Sequence, residues 1–139
     1  MECKYTNEKN IIKIPSDIRN LRKVSSEILG SISSYKIDES GIFNIRLCVE
    51  EAVKNAIVHG NRSNKKLSVR VSYWINDDKL TIEVEDEGAG FDHERLPDPT
   101  ADENLLRTSG RGVYLIKRLM DEVEYNQNGN KIRMTKHLA

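Results

Sequence analysis

The sequence predicts an α+β two-layer sandwich, in which helices cover one face of a mixed, mainly antiparallel sheet. Apolar residues recur at helical spacing in two segments before residue 60, and they alternate with polar residues in two segments after it. Turn residues separate the alternating segments closely enough for hairpins. Because such a sheet must bury its apolar face, we expect the helices to pack against that face.

The first half of the chain predicts one short strand and two helices. Residues 11–14 are typical of a strand that Pro15 closes, and Asp17 is a candidate N-cap for the next helix. A turn near Asp38 leads into a longer helix over 39–59, which a glycine ends. The apolar positions of the earlier helix are Ile18, Leu21, Val24, Ile28 and Ile32.

The second half predicts strands with one further helix. Alternation indicates strands over 67–73 and 80–84, joined by a turn of polar residues. Residues 91–108 lose all periodicity and are typical of a long surface loop, which in a compact domain is usually functional or disordered. A helix over 110–120 and a hairpin turning at Asn128-Gly129 complete the prediction.

Composition bounds the class of protein. With 139 residues the chain is most simply one domain, residues 1–139, long enough to bury a core. Its 22 basic and 22 acidic side chains balance, so there is no net positive charge to attract nucleic acid or an anionic membrane. No apolar run approaches the roughly 18 residues of a membrane helix. We therefore expect a cytoplasmic protein with neither a nucleic-acid nor a membrane partner.

Two further features agree with a reducing compartment. Cys3 and Cys48 are isolated, without metal-ligand spacing, and are typical of free thiols. The pattern Asn61-Arg62-Ser63 matches a glycosylation site, which a cytoplasmic protein has no means of using.

The first motif with chemical meaning is Glu51-x-x-x-Asn55 in the second predicted helix. On a helical wheel of about 100° per residue, Glu51 and Asn55 lie together at one edge of the apolar face, whereas Glu50 falls on the polar side. An asparagine oxygen suits Mg²⁺, and a carboxylate one turn away could accept a proton from an attacking hydroxyl. The alternative is an ordinary glutamate and asparagine on a helix surface.

The second motif is Asp86-x-Gly88-x-Gly90 at the end of a predicted strand. Asp86 has the parity of the apolar residues before it and therefore points toward the core, where a carboxylate needs a partner. An amine such as the exocyclic amino group of adenine would satisfy it, and the glycines would let the backbone turn beside a ligand. The alternative is an ordinary turn after a strand.

The third motif is Ser109-Gly110-Arg111-Gly112, which opens the last predicted helix. Ser109 can cap the helix, and the two glycines leave the first N–H groups open to an anion. Arg107 and Arg111 add positive charge that could reach phosphate oxygens. The alternative is a glycine-assisted junction between a loop and a helix, and the usual P-loop sequence is absent.

Together these motifs resemble the ATP-binding boxes of the GHKL superfamily, and most of all those of stand-alone anti-sigma factor serine/threonine kinases of bacterial partner-switching systems. The resemblance covers residues 50–60, 84–92 and 109–116 in detail and about 10–137 overall. It implies the GHKL, or Bergerat, ATP-binding fold with ATP and Mg²⁺, and residues 91–108 as an ATP lid.

The resemblance also assigns roles to the motif residues. Asn55 would hold Mg²⁺, Asp86 would bind adenine, and Glu51 would be the general base toward a serine or threonine. The glycines would shape the nucleotide pocket, namely Gly88, Gly90, Gly110 and Gly112. The implied partners are a small STAS-type anti-sigma factor antagonist, a sigma factor and a second copy of the chain in a homodimer.

One position departs from the pattern of that family. Its members often carry arginine immediately before the last Ser-Gly, where this chain has Thr108. Arg107 or Arg111 would then have to replace that contact with the γ-phosphate. Two other functions stay open: a regulatory module that binds ATP without transferring phosphate, and the catalytic module of a histidine kinase acting in trans.

Overall fold

The computed structural model describes residues 9–88 and 111–138. The strands and helices of this part are β1 (Asn10–Pro15), α1 (Leu21–Ser31), α2 (Glu39–Asn55), β2 (Ser68–Asn76), β3 (Lys79–Glu85), α3 (Arg111–Leu119), β4 (Glu122–Tyr125) and β5 (Lys131–His137). A short 3₁₀ turn, Ile18–Asn20, precedes α1, and a π-helical turn, Ala56–Gly60, extends α2.

The five described strands form one sheet in the order β1-β2-β3-β5-β4. Each pairing of neighbours in this order is antiparallel. The pairs β2–β3 and β4–β5 are hairpins, whereas β3 and β5 come together from distant parts of the chain. The predicted α+β class with helices over a mainly antiparallel sheet is confirmed.

The core lies between the helices and one face of the sheet. Each strand places alternate residues inward, and Val69, Val71 and Ile82 are fully buried. The apolar face predicted for the second helix is confirmed in α2, because Ile45 and Val49 have no exposed surface and Ala52 has 3%. The helix α2 packs between α1 and α3 and therefore forms the centre of the helical layer.

Cys48 belongs to this core and has no exposed surface. Burial raises the pKa of its thiol to about 11. A buried thiol that stays protonated is a packing group rather than a nucleophile. None of the helices in residues 9–88 and 111–138 is long and apolar enough to cross a membrane.

Side chains cap the helix starts that the sequence predicts. Asp17 accepts a hydrogen bond from Arg19 N at 3.0 Å, so it caps the 3₁₀ turn rather than α1 itself. Asp38 accepts one from Gly41 N at 2.8 Å and caps α2. Each capping oxygen satisfies a backbone N–H that has no partner within the helix.

The end of α2 differs from the prediction of a regular helix to residue 59. The last turn, Ala56–Gly60, is π-helical, with Asn61 N donating to Ala56 O at 2.8 Å. Such a widened turn changes the direction in which the following residues point, and it is frequent at functional sites. Here it lies directly after Asn55.

Candidate nucleotide site

Two of the predicted site residues lie together at the C-terminal end of α2. Glu51 and Asn55 are both partly buried, one turn apart. Gly112, in the first turn of α3, lies so close that a Cβ atom on it would be 2.5 Å from Glu51 Oε1 and 2.9 Å from Asn55 Nδ2. The start of α3 therefore faces the carboxylate and the amide directly, and only a glycine fits there without displacing them.

Asp86 follows β3 and points toward the core, as its parity predicts, with 9% of its surface exposed. Its Oδ1 accepts a hydrogen bond from Gly88 N at 2.8 Å. Burial raises the pKa of this carboxyl, the Gly88 N–H opposes that rise, and the nearby charge of Glu85 adds to it. The carboxylate is thus poorly solvated, which favours a ligand that donates a hydrogen bond to it.

Two glycines allow the backbone to pack closely around the Asp86 side chain. A Cβ on Gly60 would overlap the Asp86 carboxylate, and one on Gly88 would overlap the carbonyl oxygen of Gly60. The backbone at the end of α2 therefore lies against the turn after β3 with no room for side chains. Gly60, which the sequence predicts only as a helix stop, is required for this close approach.

The two groups of residues share one element. Glu51 and Asn55 belong to the last turns of α2, and the π-helical turn after Asn55 ends in Gly60, which packs on Asp86. The structure therefore brings Gly112, the Glu51–Asn55 pair and the Asp86–Gly88 turn together around one end of α2.

Two asparagines at the site are not predicted from the sequence. Asn61 is 2% exposed, and its Oδ1 accepts from Glu87 N at 2.8 Å. Asn130, in the β4–β5 turn, donates to Asp86 O at 3.1 Å, and its own carbonyl accepts from Asp86 N at 2.9 Å. The only sequence signal at Asn61 is the glycosylation pattern, and its buried amide makes that modification incompatible with the folded chain.

Some predicted site residues lie outside the described residues. These are Gly90, Arg107, Ser109 and Gly110, together with the predicted lid over 91–108. Arg111 is the first residue of α3, and only its backbone is described. Their predicted roles stay predictions.

The donor set at Asn55 fits a magnesium ion. Within the described ranges no three histidine, cysteine, aspartate or glutamate side chains gather into a cage for a metal. Mg²⁺ usually keeps several waters and phosphate oxygens and takes only one or two protein ligands. A partly buried amide beside a helix start is compatible with that coordination.

Comparison with known proteins agrees with this geometry. The family model of the histidine kinase-like ATPase domain matches residues 14–136. The chain therefore belongs to the histidine kinase-like ATPase family, and the resemblance drawn from the three motifs is confirmed.

Individual relatives indicate a narrower group of proteins than the family model does. Two proteins called serine-protein kinase RsbW, from Staphylococcus aureus strains JH9 and Newman, are each 30% identical to this chain over 135 residues. Each alignment covers 91% of this chain and 85% of the relative.

A solved structure supports the fold. The RsbU and RsbW domains of a Mycobacterium tuberculosis protein match with a TM-score of 0.65 at 19% identity. The match covers 94% of this chain and 32% of that longer chain.

Proposed function

We propose that this chain is a cytoplasmic, ATP-dependent serine/threonine kinase that acts as an anti-sigma factor in a partner-switching system. Its substrate would be a small STAS-type antagonist protein, its second partner a sigma factor, and its working form a homodimer. The relatives named serine-protein kinase support the reaction class. The observation that carries the proposal is the contact of Gly112 with Glu51 and Asn55.

This contact supports phosphoryl transfer because it brings together the three groups that the reaction needs: a phosphate-binding helix start, a ligand for Mg²⁺ and a general base. The start of α3 offers backbone N–H groups and a favourable dipole to phosphate oxygens. Asn55 Oδ1 would hold Mg²⁺, whose charge would offset that of the phosphates. Glu51 lies beside both, where a hydroxyl directed at the γ-phosphorus would meet its carboxylate.

The transfer itself is simple in bonds and protons. The serine or threonine oxygen forms a bond to the γ-phosphorus as the bond from that phosphorus to the β–γ bridging oxygen breaks, leaving ADP. The hydroxyl proton passes to the Glu51 carboxylate. Asp86 and Gly88 act earlier, by holding the adenine amino group and letting the base approach the backbone.

The test is transfer of labelled phosphate from ATP to a STAS-type antagonist. Glu51→Gln should lose about 100-fold or more of the transfer rate, as expected of a general base, and keep its ATP affinity. Glu50→Gln is the matched control, because Glu50 faces α1, accepts a hydrogen bond from Ser25 Oγ at 2.6 Å and lies 3.7 Å from Arg46 Nη1.

The outcomes separate the candidate functions. Label on a serine or threonine of the antagonist that Glu51→Gln abolishes and Glu50→Gln preserves supports the kinase. Tight ATP binding without any label would show a regulatory module that uses ATP as a ligand. Label on a histidine of a partner would show a trans-acting histidine kinase module instead.

A further inference from the structure

Asn61 is a buried side chain whose hydrogen-bonding groups are all used. Its Nδ2 donates to Ser16 Oγ at 2.8 Å and to Ser68 O at 3.0 Å, and its Oδ1 accepts from Glu87 N at 2.8 Å. The amide is 2% exposed, and full satisfaction keeps the cost of burying it small. It joins the end of β1, the start of β2 and the turn after β3.

The contact with Glu87 belongs to a closed ring of hydrogen bonds. Glu87 Oε2 accepts from Ser68 N at 2.8 Å, Ser68 O accepts from Asn61, and Asn61 accepts from Glu87 N. Ser16 Oγ extends the ring by donating to Leu67 O at 2.8 Å. Both the main chain and the side chain of Glu87 are therefore tied to the sheet.

Glu87 lies between the two residues that form the base-binding end of the site. The peptide joining Asp86 to Glu87 contains the N–H that Asn61 holds, and its carbonyl is Asp86 O, which accepts from Asn130 Nδ2 at 3.1 Å. This one peptide plane is thus held from both of its sides by asparagine side chains. The plane sets the direction of the Asp86 side chain, which packs on Gly60.

We infer that Asn61 is a positioning residue for recognition of the purine base. By holding the Glu87 N–H, it keeps the Asp86 carboxylate in the orientation that accepts a hydrogen bond from a purine 6-amino group. Asn61 acts through Asp86 and does not itself bind the nucleotide. The inference rests on the proposed function, because it assumes that Asp86 binds adenine.

The test compares dissociation constants for ATP and for an analogue whose purine lacks the 6-amino group. The wild-type protein should prefer ATP by about tenfold or more, the value of one hydrogen bond to a charged group. Asn61→Ala should reduce that preference at least threefold. The reduction should vanish when Asp86→Asn is already present, because there is then no carboxylate to orient.

The matched control is Ser16→Ala. It removes a partner of the same buried amide but leaves the bond from Glu87 N to Asn61 Oδ1 in place. It should lower the free energy of unfolding and keep the preference for ATP. If Asn61→Ala does not fold, Asn61→Ser takes its place, since its short hydroxyl cannot reach Glu87 N but can be hydrated.

The outcomes keep the two ideas apart. If the wild-type protein binds both nucleotides equally, adenine recognition by Asp86 is wrong and the inference is overturned with it. In another outcome, the wild-type protein prefers ATP and the Asn61 variant keeps that preference, either at unchanged affinity or with its affinity for both nucleotides lowered by the same factor. In that case only the positioning role is wrong. A preference lost in the Asn61 variant and kept in Ser16→Ala supports it.

Discussion

Gly112 brings the start of α3 against the Glu51 and Asn55 side chains of α2. A Cβ at this position would lie 2.5 Å from Glu51 Oε1. Gly112→Ala should therefore push the Glu51 and Asn55 side chains aside and lower the transfer rate about ten- to hundredfold. The free energy of unfolding should stay within about 1 kcal/mol of the wild-type value, because flexible side-chain ends yield cheaply and alanine favours the helix.

A second glycine in a helix gives the control for this prediction. Gly30 lies in α1, and a Cβ there meets nothing within 4 Å. Gly30→Ala should raise the free energy of unfolding by about 0.5–1 kcal/mol and leave the transfer rate unchanged. Urea unfolding and a phosphate-transfer assay measure both variants, and a Gly112→Ala protein with full activity would contradict the tight approach of α3 to Glu51.

At the residue scale, local periodicity predicts the direction of a side chain but not its distant partners. The helical wheel places Glu51 and Asn55 beside each other, and strand parity turns Asp86 inward, where it is found. The buried hydrogen bonds of Asn61 could not be predicted in this way. Its partners Ser16 and Glu87 are 45 and 26 positions away along the chain, and only the folded sheet brings them to it.

At the element scale, the predicted helices and strands are present, and the differences lie at their ends. The strand β2 continues to Asn76, and the turn after it places Asp77 and Asp78 at φ 53° and 61°. Two successive residues of positive φ match the twist of a two-residue hairpin. The π-helical turn after α2 was not predicted, because its buried residues continue the apolar pattern of an ordinary helix.

The cap of α2 gives a prediction for this element alone. Asp38 accepts from Gly41 N at 2.8 Å at the start of a 17-residue helix. Asp38→Ala should lower the free energy of unfolding by about 1 kcal/mol, the usual value of a lost N-cap. ATP affinity should not change, since the site lies at the other end of the helix, about 25 Å away at 1.5 Å per residue.

Asp38→Asn is the companion variant, because an asparagine keeps the capping oxygen and loses only the charge. Its loss of stability should be the smaller of the two in urea unfolding. Equal losses in both variants would mean that the charge, rather than the hydrogen bond to Gly41, stabilises the start of α2.

At the scale of the whole molecule, the alternation of patterns predicts the fold class, but it does not predict the arrangement of the strands. The turns at 76–78 and 128–129 predict hairpins, and the pairs β2–β3 and β4–β5 are found. The pairing of β3 with β5 joins residues about 50 positions apart and depends on how the helices pack. That pairing brings Asn130 to Asp86 and so completes the site.

Because separate elements meet at the site, its nucleotide should couple to the stability of the whole domain. Burial raises the pKa of Asp86, so the folded state holds this proton more tightly than the unfolded chain does. Stability from this group is therefore present below the unfolded pKa and is lost as the pH rises through the raised folded pKa. At neutral pH the ionised carboxylate destabilises the protein without nucleotide.

Asp86→Asn should therefore raise the free energy of unfolding at pH 7 without nucleotide, and the difference should shrink as the pH falls toward 4. With ATP bound, the wild-type protein should instead be the more stable of the two. The wild-type protein should gain about 2.7 kcal/mol at an ATP concentration 100 times its dissociation constant. The variant should gain much less at that concentration, since an amide replaces the carboxylate that we propose as the acceptor of the adenine amino group.

Thermal unfolding in Mg²⁺ buffer, with and without ATP, measures both halves of this prediction. Asp78→Asn, at the tip of the β2–β3 hairpin, is the control for loss of one acidic charge and should leave the gain from ATP unchanged. A variant at Asp86 that is less stable than wild type without nucleotide would contradict the cost assigned to the buried carboxylate. An Asp86→Asn protein with the full gain from ATP would mean that the adenine base binds elsewhere. The prediction requires one carboxylate, that of Asp86, to do two things: it should destabilise the protein without nucleotide, and it should bind the adenine base when ATP is present.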